Sequence, residues 1–195
     1  MKTLRLLTIA VAALLCAACT GSKKGDTSMN TEYNRAQVAE DALKFFNKDG
    51  GLLLAAGDKD KNNAMTIAWG GLGTLWQKPV CTVYVAEGRY TFNFMEDTKY
   101  FTVMQFEDKE VLKYMGTHSG RDGDKAAALN LHTKYTKNGA PYYEEASLVL
   151  ECRLMYKAPF NPENFTDDVP KDFYDGFAAG FHHIYIGEIV DTIKK

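Results

Sequence analysis

Three clusters of residues carry the chemistry this chain can offer. Asn63, Met65, Thr66, Ile67, Ala68 and Trp69 stand together in one β-type run. Arg89, Tyr90 and Thr91 follow a second such run, and Ser119-Gly120-Arg121-Asp122-Gly123-Asp124-Lys125 forms the third cluster. An arginine can grip a phosphate with two parallel hydrogen bonds, and a lysine acts on it as a point charge. Ser119-Gly120 adds a hydroxyl and backbone N–H groups that a ligand can approach closely. Thr66 and Thr91 add hydroxyls. Side chains alternate along a strand, so 63–69 can present an amide, a hydroxyl, an indole and main-chain groups to one planar ligand. Trp69 is the candidate for ring contact, and Asn63 offers an amide that both donates and accepts.

Each cluster also has a plainer reading. Arg121 to Lys125 by themselves make a charged turn with an internal ion pair, as surface loops commonly do. Met65, Ile67 and Trp69 share one parity, as core residues of a strand would. Other motifs carry no chemistry. Asp58-x-Asp60-x-Asn62 opens like a calcium loop, but Asn63 replaces the glycine and Trp69 the glutamate that such a loop needs. It reads as a solvated hairpin turn. Neither Gly70-Gly71-x-Gly73 nor Gly120-x-x-Gly123 links a strand to a long helix as a dinucleotide fingerprint does. No histidines stand at metal-ligand spacing, so no metal site is expected.

The elements that must position these residues follow from periodicity. A helix is expected over 31–47, with Val38, Ala42, Phe45 and Phe46 on one face. Strands are expected at 52–56, 64–69, 80–85, 100–106, 146–156 and 182–190, with a Gly-rich turn between the second and third. Short helices are expected at 89–97, 109–115 and 125–131, and an irregular aromatic stretch at 157–180. In 146–156, Leu148, Leu150, Cys152 and Leu154 share one face, with Glu151 and Arg153 on the other. Uneven spacing of strands and helices does not fit a βαβ repeat.

Asn63, Met65, Thr66 and Trp69, then Arg89-Tyr90-Thr91, then the Ser119–Lys125 block resemble, in that order, the FMN-binding split-barrel proteins of the flavin reductase-like family, which includes the flavoredoxins. The likeness runs over about 42–190. It implies a mainly β (α+β) fold, an antiparallel Greek-key split barrel with short helical insertions. It implies non-covalent FMN held by Asn63, Met65, Thr66, Ile67, Ala68, Trp69, Arg89, Tyr90, Thr91, Ser119, Gly120, Lys125 and His182. A homodimer with the flavin at its two-fold interface is implied as well. His182 stands where the family often has a histidine; the plainer alternative is a buried histidine bonded to a carbonyl. The chain departs from the family at Ala86-Glu87, where Arg-Pro is common, and at Ala68, where Ser or Gly is usual.

The N-terminus sets the compartment. Lys2 and Arg5, an apolar run over 6–15, and Ala17-Ala18 before Cys19 have the form of a bacterial lipoprotein signal, with Cys16 an unusual third residue before the cleavage point. The domains are therefore a signal peptide at 1–18, a polar tether at 19–31 and the split-barrel domain at 32–195, with Cys19 lipidated and the protein anchored to a membrane of the cell envelope. The chain has 23 basic and 25 acidic residues. Losing Lys2 and Arg5 leaves a net charge of about −4, which excludes a basic footprint for nucleic acid. Cys81 and Cys152 remain, read as buried thiols, with a single disulfide as the alternative.

The expected function is electron or hydride transfer through FMN outside the cytoplasm. No nicotinamide pool is expected there, so a membrane quinol, a redox protein or a small exported reductant is expected as partner. The aromatic residues at 160–177 are a candidate lid. A second reading is a flavin- or haem-binding split barrel without turnover. A third is a pyridoxamine-phosphate oxidase-like enzyme.

Overall fold

Apolar β-type runs without helical periodicity recur along the sequence after residue 50, and seven strands pair into one antiparallel sheet. The computed structural model describes residues 44–46 and 51–195. The expected signal peptide and tether, Cys19 and most of the helix expected at 31–47 lie outside these residues; 44–46 are helical. The strands are β1 (Leu52–Gly57), β2 (Asn62–Ile67), β3 (Gly70–Leu75), β4 (Lys78–Ala86), β5 (Tyr100–Gln105), β6 (Thr133–Tyr135), β7 (Pro141–Tyr143), β8 (Leu148–Pro159) and β9 (His182–Lys194). The main sheet has the order β2-β1-β5-β8-β9-β4-β3, and β6-β7 is a separate hairpin. The helices are α1 (Tyr90–Asp97), α2 (Lys109–Thr117), α3 (Lys125–Ala128) and α4 (Asp168–Tyr174). This is the mainly β split barrel that the sequence leads one to expect.

β1 explains how the sheet is covered. Leu52, Leu53, Leu54, Ala55 and Ala56 are all buried, so the strand has no solvent face. Leu52, Leu54 and Ala56 join Val83, Val85, Phe101, Val103 and Tyr185 in one core cluster. Leu53 and Ala55 point the other way, against Met104 and the α2 residues Val111, Leu112 and Met115. A strand buried on both sides loses polar alternation and reads as a continuous apolar run. Each fully buried leucine contributes on the order of 1.5–3 kcal/mol. β8 and β9 form the longest ladder, with register shifts at Glu151/Cys152 and Leu154/Tyr156. Gly187 of β9 lets the Phe101 ring cross it, since a Cβ there would lie 2.7 Å from that ring.

The structure departs from expectation at four places. The Gly-rich segment is a strand, not a turn: β3 pairs with β4 from Gly70↔Val83 to Leu75↔Lys78. Its hairpin turns at Trp76 and Gln77, with φ of 49° and 60°, a geometry usually signalled by Asn-Gly. The β6-β7 hairpin had no alternating signal. Glu151 is not on a solvent face but 1% exposed, where it accepts hydrogen bonds from the Thr136 hydroxyl and Asn138 Nδ2. The 157–180 stretch holds α4 and a 3-10 turn at Pro162–Asn164. Cys81 and Cys152 are free and buried. The neighbouring Cys81 thiol, together with burial, pushes the Cys152 thiol pKa up.

Candidate functional site

β2 carries the site because it leads from a polar turn, past α2, to an exposed aromatic. At the turn, Asp58 Oδ1 accepts the amides of Asp60 and Lys61 at 2.9 Å each, which closes the hairpin. In β2, Asn63 is 8% exposed and its Nδ2 donates to Thr91 Oγ1 at 2.7 Å. That bond ties β2 to the first turn of α1. The Thr66 hydroxyl donates to the Leu112 carbonyl of α2. Lys125, at the start of α3, is buried and donates from Nζ to the carbonyls of Ala64 at 2.6 Å and Met115 at 3.0 Å. Burial lowers its pKa to about 8.

These contacts enclose a cavity of about 190 Å³ between β2, the N-terminus of α1 and the loop after α2. Asn63, Met65, Thr66, Arg89, Tyr90, Thr91, Ser119, Gly120 and Lys125 all line it, joined by Gly88, Gly116 and Arg121. Nine of the residues singled out in the sequence thus meet around one space. Gly120 makes the shape possible: a Cβ there would lie 2.1 Å from Asn63 Oδ1 and 2.9 Å from Tyr90 Cδ1. Arg89 is the N-cap residue of α1 and makes no side-chain cap; the Phe92 amide donates to its carbonyl at 3.0 Å, which leaves the Tyr90 and Thr91 N–H groups for a ligand beside the guanidinium. The donor set is therefore cationic and rich in N–H and O–H groups, the chemistry that a phosphate requires.

Arg121 was not among the expected ligands, although it lies inside the third cluster. Its Nη1 donates to the Gly88 carbonyl at 3.3 Å, and its guanidinium lies 5.1 Å from the Tyr90 ring centre. The internal ion pair of the charged-turn reading does not form. Asp124 instead caps α3 by accepting the amides of Ala126 and Ala127. Lys125 turns inward to the two carbonyls.

Four expected residues lie elsewhere. Ile67 is a core side chain packed with the barrel interior. Ala68 is exposed at the end of β2. Trp69, 50% exposed, and His182 belong to an aromatic box. Trp69 meets the Phe173 ring edge-on at 5.2 Å and His182 at 5.3 Å, and Phe177 stacks on His182 at 5.6 Å. The Tyr174 hydroxyl lies 2.8 Å from His182 Nδ1. Burial, and then the nearby Arg89 charge, lower the His182 pKa, so the ring is neutral at pH 7. Where the hydroxyl donates to Nδ1, the ring carries its proton on Nε2. Arg89 thus lines the cavity and its charge is felt at His182 in the box.

His183, on the opposite face, is near Glu87 Oε1 at 3.1 Å. The Glu87 amide donates to the Phe181 carbonyl and the Gly88 amide to the Ala179 carbonyl. The departure Ala86-Glu87 therefore anchors the loop before Arg89 to the aromatic segment.

A split barrel with a cationic, N–H-rich cavity and an aromatic box along one strand is an arrangement suited to a flavin. The profile of the flavin reductase like domain matches residues 48–194. The chain belongs to this family of flavin-binding oxidoreductases. Its structure is similar to the flavoredoxin from Methanosarcina acetivorans, with a TM-score of 0.58, 24% identity, and coverage of 74% of this chain and 67% of that one. It is similar to the flavoredoxin of Desulfovibrio vulgaris (Miyazaki F), with a TM-score of 0.57 and 24% identity over 74% of this chain and 68% of that one. An FMN-binding protein from Thermus thermophilus with bound 1-cyclohex-2-enone gives a TM-score of 0.56 at 20% identity, covering 73% and 68%. At these identities the likeness establishes the fold. No curated protein matches the chain.

Proposed function

We propose that the chain binds FMN non-covalently and works as an electron- or hydride-transferring oxidoreductase outside the cytoplasm. The observation that carries this reading is the cavity closed by Gly120, Asn63 and Tyr90 at the uncapped start of α1. Arg89, Arg121, the Ser119-Gly120 backbone and the third N–H of Lys125 would hold the phosphate. Asn63, Met65 and Thr66 would lie along the ribityl chain and the ring. Bound flavin supplies the redox chemistry, accepting and giving up electrons at its ring. The chain's own part is to hold, orient and shield. Trp69, Phe173 and Phe177 present apolar ring surface against which a flavin ring would pack. His182, neutral and fixed by Tyr174, can present its Nε2 proton to a reacting group.

In this reading Cys19 carries lipid and fixes the protein to the envelope, and the active form is a homodimer. The electron source is a membrane quinol, a redox protein or a small reductant. Stopped-flow reduction of the FMN-loaded protein tests it. Slow bleaching by NADH and fast bleaching by a soluble quinol support the proposal. Fast bleaching by physiological NADH overturns the choice of donor, and absence of any flavin binding overturns the function.

A further inference from the structure

One imidazole meets α1 at both of its ends. His183 of β9 turns away from the aromatic box, with 15% of its side chain exposed. Its Nε2 lies 3.1 Å from Glu87 Oε1, in the loop that leads into α1. Its Nδ1 lies 3.8 Å from Glu96 Oε1, in the last turn of α1. Between these two, the Phe92 ring of α1 meets the imidazole at 4.8 Å in an edge-to-face contact. Glu87, Phe92, Glu96 and His183 all stand outside the lining of the cavity, whereas Arg89, Tyr90 and Thr91 belong to it.

The two carboxylates are held differently. Glu96 is fixed: Lys157 Nζ of β8 donates to its Oε2 and to its main-chain carbonyl, each at 2.7 Å, and the Tyr185 hydroxyl donates to Oε1 at 2.7 Å. Burial pushes the Glu96 pKa up, but the bonds from Lys157 and Tyr185 outweigh it and the pKa is lowered, so the group is charged at pH 7. Glu87 is half exposed, and the Arg89 amide, two residues on, donates to the Ala86 carbonyl at 3.0 Å. The position of Glu87 is therefore tied to that of Arg89. The residues of β4 and β8 in register with His183 are Val85 and Pro159, which do not titrate.

A neutral imidazole has one N–H and one lone pair. It can serve one of these carboxylates and turns a lone pair toward the other. A protonated imidazole turns an N–H toward each and carries a charge that both attract. Histidine is the residue type whose charge changes between about pH 5 and 8.

We propose that His183 is a positioning residue for the cavity. It clasps Glu87 and Glu96 at the two ends of α1, sets the loop that delivers Arg89, Tyr90 and Thr91, and holds that loop more firmly when protonated. The inference rests on the flavin reading above.

The test compares the FMN affinity of wild type and His183→Gln, both full-length, between about pH 5.5 and 8, by quenching of flavin fluorescence. Glutamine keeps one donor and does not titrate. The phosphate of FMN itself changes charge near pH 6, and the ratio of the two affinities cancels that effect. Wild type should bind about threefold more tightly or better at the acid end, and the ratio should approach one at about pH 8. Glu87→Gln, measured against wild type in the same way, should give the same pH-dependent ratio. Riboflavin, which lacks the phosphate, should give ratios near one throughout. A wild-type to His183→Gln ratio that does not change with pH overturns the inference and leaves the flavin reading standing. An equal pH dependence for riboflavin also overturns it, because the clasp then does not act through the groups that meet the phosphate. Failure of wild type to bind FMN at any pH overturns the two together.

Discussion

Lys125 reaches back across 61 positions to place its ammonium 2.6 Å from the Ala64 carbonyl, and so joins the loop after α2 to the strand that carries Asn63. The same group lines the cavity beside Asn63, which makes it both a clamp and a charge.

The shifted pKa of Lys125 gives a pH dependence. Its pKa is lowered to about 8 in the folded chain, against about 10.4 for a free lysine. Above pH 8 the cavity loses this charge. FMN affinity, normalised to riboflavin, which lacks the phosphate, should fall severalfold as pH rises through 8. Stability moves the other way. Between about pH 8 and 10.4 the unfolded chain holds a proton that the folded chain has lost, so the contribution of this group to stability rises over that window. Lys125→Met should abolish the normalised pH dependence. It should also destabilise the fold by about 1–3 kcal/mol, because the Ala64 and Met115 carbonyls lose their donor. Titration calorimetry and urea unfolding across pH check both signs.

Gly120 is a matter of space. A methyl group there collides with Asn63 Oδ1 and the Tyr90 ring. Gly120→Ala should lower FMN affinity tenfold or more and cost about 1–3 kcal/mol of stability, as overpacking does. Gly71→Ala is the control, since nothing lies within 4 Å of its added Cβ. Equal FMN affinity in wild type and Gly120→Ala would remove the cavity from the binding site.

Arg89 acts on His182 through charge. Burial is the larger cause of the lowered His182 pKa and Arg89 the smaller. Arg89→Gln should therefore raise the titration of His182 part of the way to the ordinary value of about 6.5. Tyr174→Phe, which removes the bond to Nδ1, tests the orientation of the ring separately. The imidazole proton resonances followed by NMR against pH give the result. An unmoved His182 in Arg89→Gln would separate the cavity from the aromatic box.

Gln77 holds φ of 60° in the β3-β4 turn. A left-handed conformation costs a non-glycine residue roughly 1–2 kcal/mol. Gln77→Gly should therefore raise stability by about 1 kcal/mol, visible as a higher melting temperature. No gain would mean that packing at the turn offsets the strain.

The sequence by itself determined the strands whose residues have one or two buried faces, because burial imposes apolar runs or alternation wherever it occurs. β1, β4, β5 and β8 are legible for that reason, as are α1 and α2. It also determined which residue types could meet a phosphate, since Arg, Lys, Ser and Gly advertise that chemistry locally. It did not reveal β3, whose glycines lack side chains to pack, nor the burial of Glu151, whose partners Thr136 and Asn138 lie on another hairpin. Only the tertiary structure decided that Lys125 faces two carbonyls, that Arg121 lies over Tyr90, and that Trp69 and His182 form a box apart from the cavity. These outcomes depend on contacts between residues tens of positions apart, and a pattern of neighbours along the chain carries no information about distances across it.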